Sequence, residues 1–250
     1  MRAKAVITDF DKTLLRTDKT VSEYTRTVLQ RCRGQGLAVM AATARPERSI
    51  LAYRELLEFE AVTTLNGARI LLPGGVVENA LAPASVERML EGIVAVPQVL
   101  ISLETDQGIF SNVSIPEWEP VVFEGFPGLP ECGRIYKILL SGPAGGLQET
   151  VRDSLTADAY LTVTNGDLLQ IMDRRATKWN GVKAMLGAAG IAAEDAVYFG
   201  DDNDDLEPIR RCGTGVAVAN AIGAVLDGAD AVAASNDLDG VARWIEENLL

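Results

Sequence analysis

Asp9 and Asp11 stand one residue apart where the apolar run Ala5-Val6-Ile7 ends, within Asp9-Phe10-Asp11-Lys12-Thr13. Two carboxylates held that close raise each other's pKa, because each opposes the charge of the other. A bound cation relieves the repulsion, and carboxylate oxygens are hard donors suited to Mg²⁺. Far downstream, Asp201-Asp202-Asn203-Asp204-Asp205 forms a second acidic cluster, and Lys178 lies between the two in the chain. These residue types together describe a Mg²⁺-dependent phosphoryl-transfer site.

The chain has no histidine. That excludes Ser-His-Asp and Cys-His nucleophile systems and histidine-ligated zinc, and leaves acid–base work to Asp, Glu, Lys, Tyr or Cys. Cys32, Cys132 and Cys212 are widely spaced and odd in number, which fits reduced thiols. With 23 Lys and Arg against 35 Asp and Glu, the net charge of −12 argues against a nucleic-acid or anionic-membrane surface. The most apolar long stretch, 216–234, is interrupted by Asn220, Asp227 and Asp230, so no membrane helix is expected. Only a short apolar run precedes Asp9, so no signal peptide is expected and the expected location is cytoplasmic. No obligate protein partner is implied.

Two hundred and fifty residues can bury one core plus a smaller appended domain. The first third predicts alternating strands and helices. Thr20-Val21-Ser22-Glu23 fits a capping box with Thr20 as N-cap, and Val21, Thr25, Val28 and Cys32 follow at helical spacing. Residues 37–42 predict a strand ending at Thr43, Pro46 opens a second helix, and 61–65 predict a strand ending at Asn66-Gly67. From about residue 83 to 172 the pattern turns to hairpins, with Asn165-Gly166 as a two-residue turn signal. Alternation then resumes, with strands at 196–199, 215–218 and 229–233 and a terminal helix. The expected architecture is an α/β, Rossmann-like parallel-sheet core over 1–82 and 173–250, with an inserted α+β domain over 83–172. In such a sheet ligands gather at the carboxyl ends of the strands. That brings Asp9, Asp11, Thr43, Asn66 and the 201–205 cluster to one place, while Lys178 can supply the cation a phosphate needs.

The chain resembles the haloacid-dehalogenase-superfamily phosphatases, in their Cof-like branch with an inserted α/β cap (type IIB). Asp9-Phe-Asp11-Lys-Thr13-Leu14 resembles the family's opening Asp-x-Asp-x-Thr-Leu, and Thr43-Ala44-Arg45 its Thr/Ser-Gly-Arg. Asn66-Gly67-Ala68, the helix start at Lys178, and Gly200-Asp201-Asp202-Asn203-Asp204-Asp205 resemble later family segments in order. The resemblance implies that Asp9 is the nucleophile and forms an aspartyl-phosphate. It implies that Asp11 is general acid and then base, and that Thr43 and Lys178 hold phosphoryl oxygens. The implied Mg²⁺ site comprises Asp9, the Asp11 backbone carbonyl, Asp201, and Asp205 directly or through water. Arg45, Asn66 and Asp204 are possible substrate contacts, and the cap would act as a lid.

Four positions depart from the family pattern: Lys12 and Ala44 replace glycines, Trp179 replaces a small residue, and Asp204 stands where an Asn is common. The expected function is hydrolysis of a small phosphorylated metabolite such as a sugar phosphate. The alternatives are a phosphomutase or phosphotransferase of the same superfamily, or a non-catalytic phospho-ligand module. Taken singly, Thr43 could be a helix cap, Asn66-Gly67 a turn, and Trp118, Tyr136 and Trp179 core packing.

Overall fold

The computed structural model describes residues 3–115, 119–123, 132–142, 146–164 and 168–250. Trp118 and the expected Asn165-Gly166 turn lie outside the described residues. In chain order the elements are β1 (Ala5–Thr8), α1 (Glu23–Gly34), β2 (Ala38–Ala42), α2 (Leu51–Leu57), β3 (Ala61–Thr64), β4 (Arg69–Leu72) and β5 (Gly75–Glu78). There follow α3 (Pro83–Ile93), β6 (Leu100–Thr105), β7 (Gly108–Ser111), β8 (Val121–Val122), β9 (Ile135–Ser141), α4 (Leu147–Ser154), β10 (Ala159–Thr164) and β11 (Leu168–Asp173). The chain ends with α5 (Lys178–Ala189), β12 (Ala196–Gly200), α6 (Leu206–Arg211), β13 (Thr214–Val218), α7 (Gly223–Gly228), β14 (Ala231–Ala233) and α8 (Gly240–Asn248). They form two compact units, one of Met1–Glu78 with Thr177–Leu250 and one of Asn79–Ala176. The second unit is thus larger by four residues at each end than the expected 83–172.

In the first unit the sheet order is β14-β13-β12-β1-β2-β3-β4-β5, parallel from β14 to β3. Its inner strands are near-continuous apolar runs, Ala5-Val6-Ile7 and Ala38-Val39-Met40-Ala41-Ala42, because helices cover both faces. Alternation divides neighbouring side chains between those faces. Val6, Val39 and Phe199 pack with Val28, Leu29, Val241 and Ile245, whereas Ile7, Met40 and Tyr198 pack with Val182, Met185, Leu186 and Val225. No helix among the described residues is long and apolar enough to cross a membrane.

The second unit is a six-stranded sheet, β10-β11-β9-β6-β7-β8, antiparallel except where β7 meets β8. Ile101, Leu103, Ile138, Leu140, Leu169 and Ile171 pack against Val86, Met89, Leu90 and Val151 of the two helices. Tyr136 is fully buried within this unit.

One expectation is corrected. The N-cap of α1 is Ser22, whose Oγ accepts from the Thr25 N–H at 3.0 Å. Thr20 instead turns back on Asp18, giving it an N–H at 2.9 Å and a hydroxyl at 2.6 Å, so the aspartate turn claims the residue before the helix can. Beyond β3 the sheet continues into β4 and β5. Leu65, Asn66 and Gly67 take successive left-handed conformations (φ 49°, 51° and 95°) and reverse the chain into β4 and β5.

Gly67 is doubly required there. A Cβ would both strain the backbone and run into the carbonyl of Thr177, whose side chain caps α5 by accepting from the Asn180 N–H. Gly67→Ala should therefore destabilise the protein by roughly 2 kcal/mol or more. Denaturant unfolding checks this, and an unchanged midpoint would contradict the contact.

Candidate active site

β1 and β12 are adjacent and parallel, so their carboxyl ends release Asp9 and Asp201 side by side, with the Asp9 N–H still bonded to Phe199 O at 2.9 Å. Asp205 reaches the same point from the turn after β12, and Gly200 admits it, since a Cβ at 200 would overlap the Asp205 side chain. One carboxylate oxygen from each of Asp9, Asp201 and Asp205 lies within 4.8 Å of the others, and all three residues are buried.

Lys178, 4% exposed at the start of α5, donates to Asp205 Oδ1 at 2.7 Å and approaches Asp9 Oδ1 at 3.0 Å. Its pKa is raised. Burial alone would lower it, but Asp205, Asp9 and Asp204 outweigh that and keep the ammonium charged. Burial pushes the Asp9 carboxyl well up; Lys178 draws it down, and Asp205 and Asp201 push it up again. Asp201 rises to about 6, mainly through burial, against the hydroxyl of Thr13 that donates to its Oδ1 at 2.7 Å.

Three carboxylates share a single ammonium in this cluster, so full ionisation leaves two negative charges, which a divalent cation would neutralise. The donor set fits a hard cation. The three oxygens are unequal, however. Asp205 Oδ1 accepts from Lys178 and from the Tyr198 hydroxyl at 2.6 Å, and its Oδ2 accepts from the N–H groups of Asp201 and Asp202 at 3.0 and 3.1 Å. Those bonds fill the positions from which a carboxylate oxygen accepts. Asp9 and Asp201 are therefore the better direct donors.

The Asp11 carboxylate is not in this group. Arg45 grips it bidentately at 2.6 and 2.7 Å, and Lys19 adds a bond at 2.8 Å. Burial raises the Asp11 carboxyl, but the hydrogen bonds from Arg45 and Lys19 prevail and bring it to about 2. Arg45 also lies 5.5 Å from the Tyr53 ring centroid. Thr43 is buried at the end of β2, and its Oγ accepts from the Arg45 N–H at 3.1 Å rather than capping a helix. The Asn66 N–H donates to Thr43 O at 3.0 Å, so the ends of β2 and β3 are laced together. Asn66 Nδ2 donates to Asp204 Oδ2 at 2.6 Å, while its buried Oδ1 has no hydrogen-bond partner among the described residues. A buried acceptor left so costs roughly 1–3 kcal/mol.

The structure thus brings together Asp9, Asp201, Asp205 and Lys178 and, beside them, pairs Asp11 with Arg45 and Asn66 with Asp204. Sequence reasoning missed Tyr198, Lys19 and the role of Thr13. Thr13 stood in the quoted opening motif, whereas a tyrosine inside an apolar strand gives no signal of its own. Among the departures, Lys12 takes a left-handed φ of 58°, the conformation glycine adopts without cost, and its carbonyl accepts from Asn220 Nδ2 at 2.7 Å. Trp179 packs at the edge of the α5 core with the Arg211 guanidinium 5.4 Å from its ring centroid.

The haloacid dehalogenase-like hydrolase family matches residues 6–245. The chain belongs to that family. It is 26% identical over 265 residues to the 5-amino-6-(5-phospho-D-ribitylamino)uracil phosphatase YitU of Bacillus subtilis, covering 96% of this chain and 95% of that one. It is 25% identical over 233 residues to the HMP-PP phosphatase of Escherichia coli, covering 88% and 85%. The fold matches the crystal structure of a haloacid dehalogenase-like hydrolase from Bacteroides thetaiotaomicron with a TM-score of 0.81 at 24% identity, over 98% of this chain and 99% of that one. The family member described here is a phosphatase of the haloacid dehalogenase type, an α/β parallel-sheet core with an inserted α+β cap domain.

The raised Asp201 carboxyl links the acidic cluster to pH. A carboxyl held near 6 in the folded protein, against 3.8 ordinarily, costs no stability below pH 3.8 and its full amount above about 6. A divalent cation bound to the ionised cluster removes that cost. Added cation should therefore raise the melting temperature more at pH 7 than at pH 5. Equal shifts in thermal melts at the two pH values would contradict a cation at this cluster.

Proposed function

We propose that the protein is a Mg²⁺-dependent phosphomonoester hydrolase that acts through an aspartyl-phosphate on a small phosphorylated metabolite of the sugar-phosphate kind. One observation carries the reading: Asp9 is buried with its carboxylate against the Lys178 ammonium and within reach of two further carboxylates. A nucleophile for phosphorus needs that setting, because an anion attacking an anionic ester requires positive charge on both partners. Mg²⁺, held by Asp9, Asp201 and the Asp11 carbonyl with Asp205 bonding through water, would supply the divalent charge that offsets this repulsion.

The residues divide the remaining work. An Asp9 oxygen attacks phosphorus and the ester oxygen departs with the bonding pair. Lys178 and the Thr43 hydroxyl hold the phosphoryl oxygens as charge shifts among them. Tyr198 and two backbone N–H groups keep Asp205 oriented, and Asp205 keeps the ammonium aimed at Asp9. Asp11 protonates the departing alkoxide and later takes a proton from the water that opens the aspartyl-phosphate. As a bidentate partner of Arg45, Asp11 is ionised, which suits the second of these tasks.

A screen of phosphorylated metabolites with Mg²⁺, repeated with chelator, tests the reading. Phosphate release should depend on Mg²⁺ and fall below detection in Asp9→Asn, whose folding is checked by its melting curve. Release that survives either change would refute the assignment of Asp9 or of the cation. Labelled phosphate should pass to water, and passage to a second hydroxyl instead would make the enzyme a phosphotransferase.

A further inference from the structure

Besides Arg45, the Asp11 carboxylate carries a second cation, the Lys19 ammonium at 2.8 Å from Oδ1. Lys19 adopts a left-handed φ of 66°, which costs a residue with a side chain more than it costs glycine. The turn that presents it is closed by the Lys19 N–H to Arg16 O at 2.8 Å and by the Arg16 N–H to Thr20 O at 3.0 Å. Three ties fix this turn from outside. Thr17 donates its N–H and its hydroxyl to Asp237 at 2.7 and 2.8 Å, and Arg16 grips Asp239 with bonds of 3.2 and 2.7 Å. Tyr53 of α2 donates its hydroxyl to Lys19 O at 2.8 Å. The two cations on Asp11 therefore have different roots: Arg45 follows β2, whereas Lys19 stands on a turn held to α2 and to the segment between β14 and α8. Lys19 and Asp11 are 51% and 37% exposed, and an ion pair that open to water adds little stability. Stability alone does not account for a turn tied down in this way.

We propose that Lys19 is a positioning residue for the hydrolysis, a fixed tether that keeps the Asp11 carboxylate aimed when Arg45 turns to the phosphoryl group. The inference rests on the hydrolase reading above and deepens it. The two carboxylate oxygens are held unequally. Among the described residues, Oδ2 accepts from Arg45 Nε only, whereas Oδ1 accepts from both Arg45 Nη2 and the Lys19 ammonium. Departure of Arg45 thus frees Oδ2 to exchange a proton with the ester oxygen or the water, and leaves Oδ1 tethered. Without that tether the side chain would turn about its two free bonds. Proton transfer needs hydrogen-bond distance, and a misplacement of about 1 Å can cost roughly a hundredfold in rate.

Lys19→Met keeps the apolar stem and removes the ammonium, and Lys19→Arg restores a cation. Both are assayed with whichever of glucose 6-phosphate, ribose 5-phosphate and glycerol 3-phosphate the wild type turns over fastest. Lys19→Met should lower kcat roughly tenfold with KM within about twofold of wild type, and Lys19→Arg should recover kcat to within about threefold. Melting curves of the two variants should match that of the wild type. A residue that acts through Asp11 has nothing to aim once that carboxylate is gone. In the Asp11→Asn background, Lys19→Met should therefore cost less than about twofold. An unchanged kcat in Lys19→Met, a rise in KM alone, or an equal loss in the Asp11→Asn background overturns the tether and leaves the hydrolase reading intact. Absence of release from all three esters by the wild type overturns the sugar-phosphate hydrolase reading and this inference with it.

Discussion

Three buried carboxylates sharing one buried ammonium is the constraint on which the rest of this architecture depends. Such a cluster opposes folding, since each ion loses water and like charges face one another. It persists because the surrounding structure leaves no alternative. Asp9 and Asp201 are fixed by adjacent parallel strands, Asp205 by a turn that only Gly200 can admit, and Lys178 by a helix start pressed against Gly67. Every hydrogen bond to Asp205 comes from a rigid donor or from Lys178 itself. A divalent cation bound at the cluster would offset this cost by neutralising the excess negative charge.

Much of this was legible in the residues. Apolar runs ending in Asp9, Thr43, Asn66 and Asp201 already implied parallel strands with chemistry at their carboxyl ends, and the change of pattern near residue 83 already implied an insert. The capping box failed because Asp18, two residues ahead of Thr20, offered a closer acceptor than the helix did. The turn at Asn66-Gly67 was legible, but β4 and β5 beyond it were not, because Pro73-Gly74 divides that stretch into two strands of only four residues each. Tyr198 escaped for a different reason. Its neighbours Val197 and Phe199 make it look like core, and only the structure reveals the hydroxyl against Asp205.

The departures from the family pattern carry different weights. Lys12 preserves the left-handed turn that a glycine would make, and Asn220 secures that turn through the Lys12 carbonyl. Asn220 in turn accepts from the Asn236 N–H, and Asn236 Nδ2 donates to Leu15 O, so the loop after β1 is tied to the loops after β13 and β14. These bonds help hold Lys12 in a left-handed conformation that costs a side-chain-bearing residue more than it would glycine. Asp204 has no such neutral explanation. It accepts from Asn66 Nδ2 at 2.6 Å and adds a negative charge that helps keep Lys178 protonated.

Asp11 presents the sharpest contrast with its neighbour. Asp9 faces a buried ammonium and two other carboxylates, whereas Asp11, two residues on, faces Arg45 and Lys19. Burial and like charge push one carboxyl up, and two cations pull the other down to about 2. Phe10 alone separates them, and extended backbone at Asp9 and Asp11 (ψ 166° and 129°) sends the two side chains into these different fields. An ionised group cannot donate a proton, so the proposed proton donation by Asp11 would require Arg45 to find another anion. A phosphoryl group held beside Thr43, as proposed, would be such an anion, and the backbone bond from Arg45 to Thr43 Oγ keeps the arginine's root beside Thr43. On the proposed function, arrival of substrate would release Asp11 in the same electrostatic event, the guanidinium exchanging one oxyanion for another.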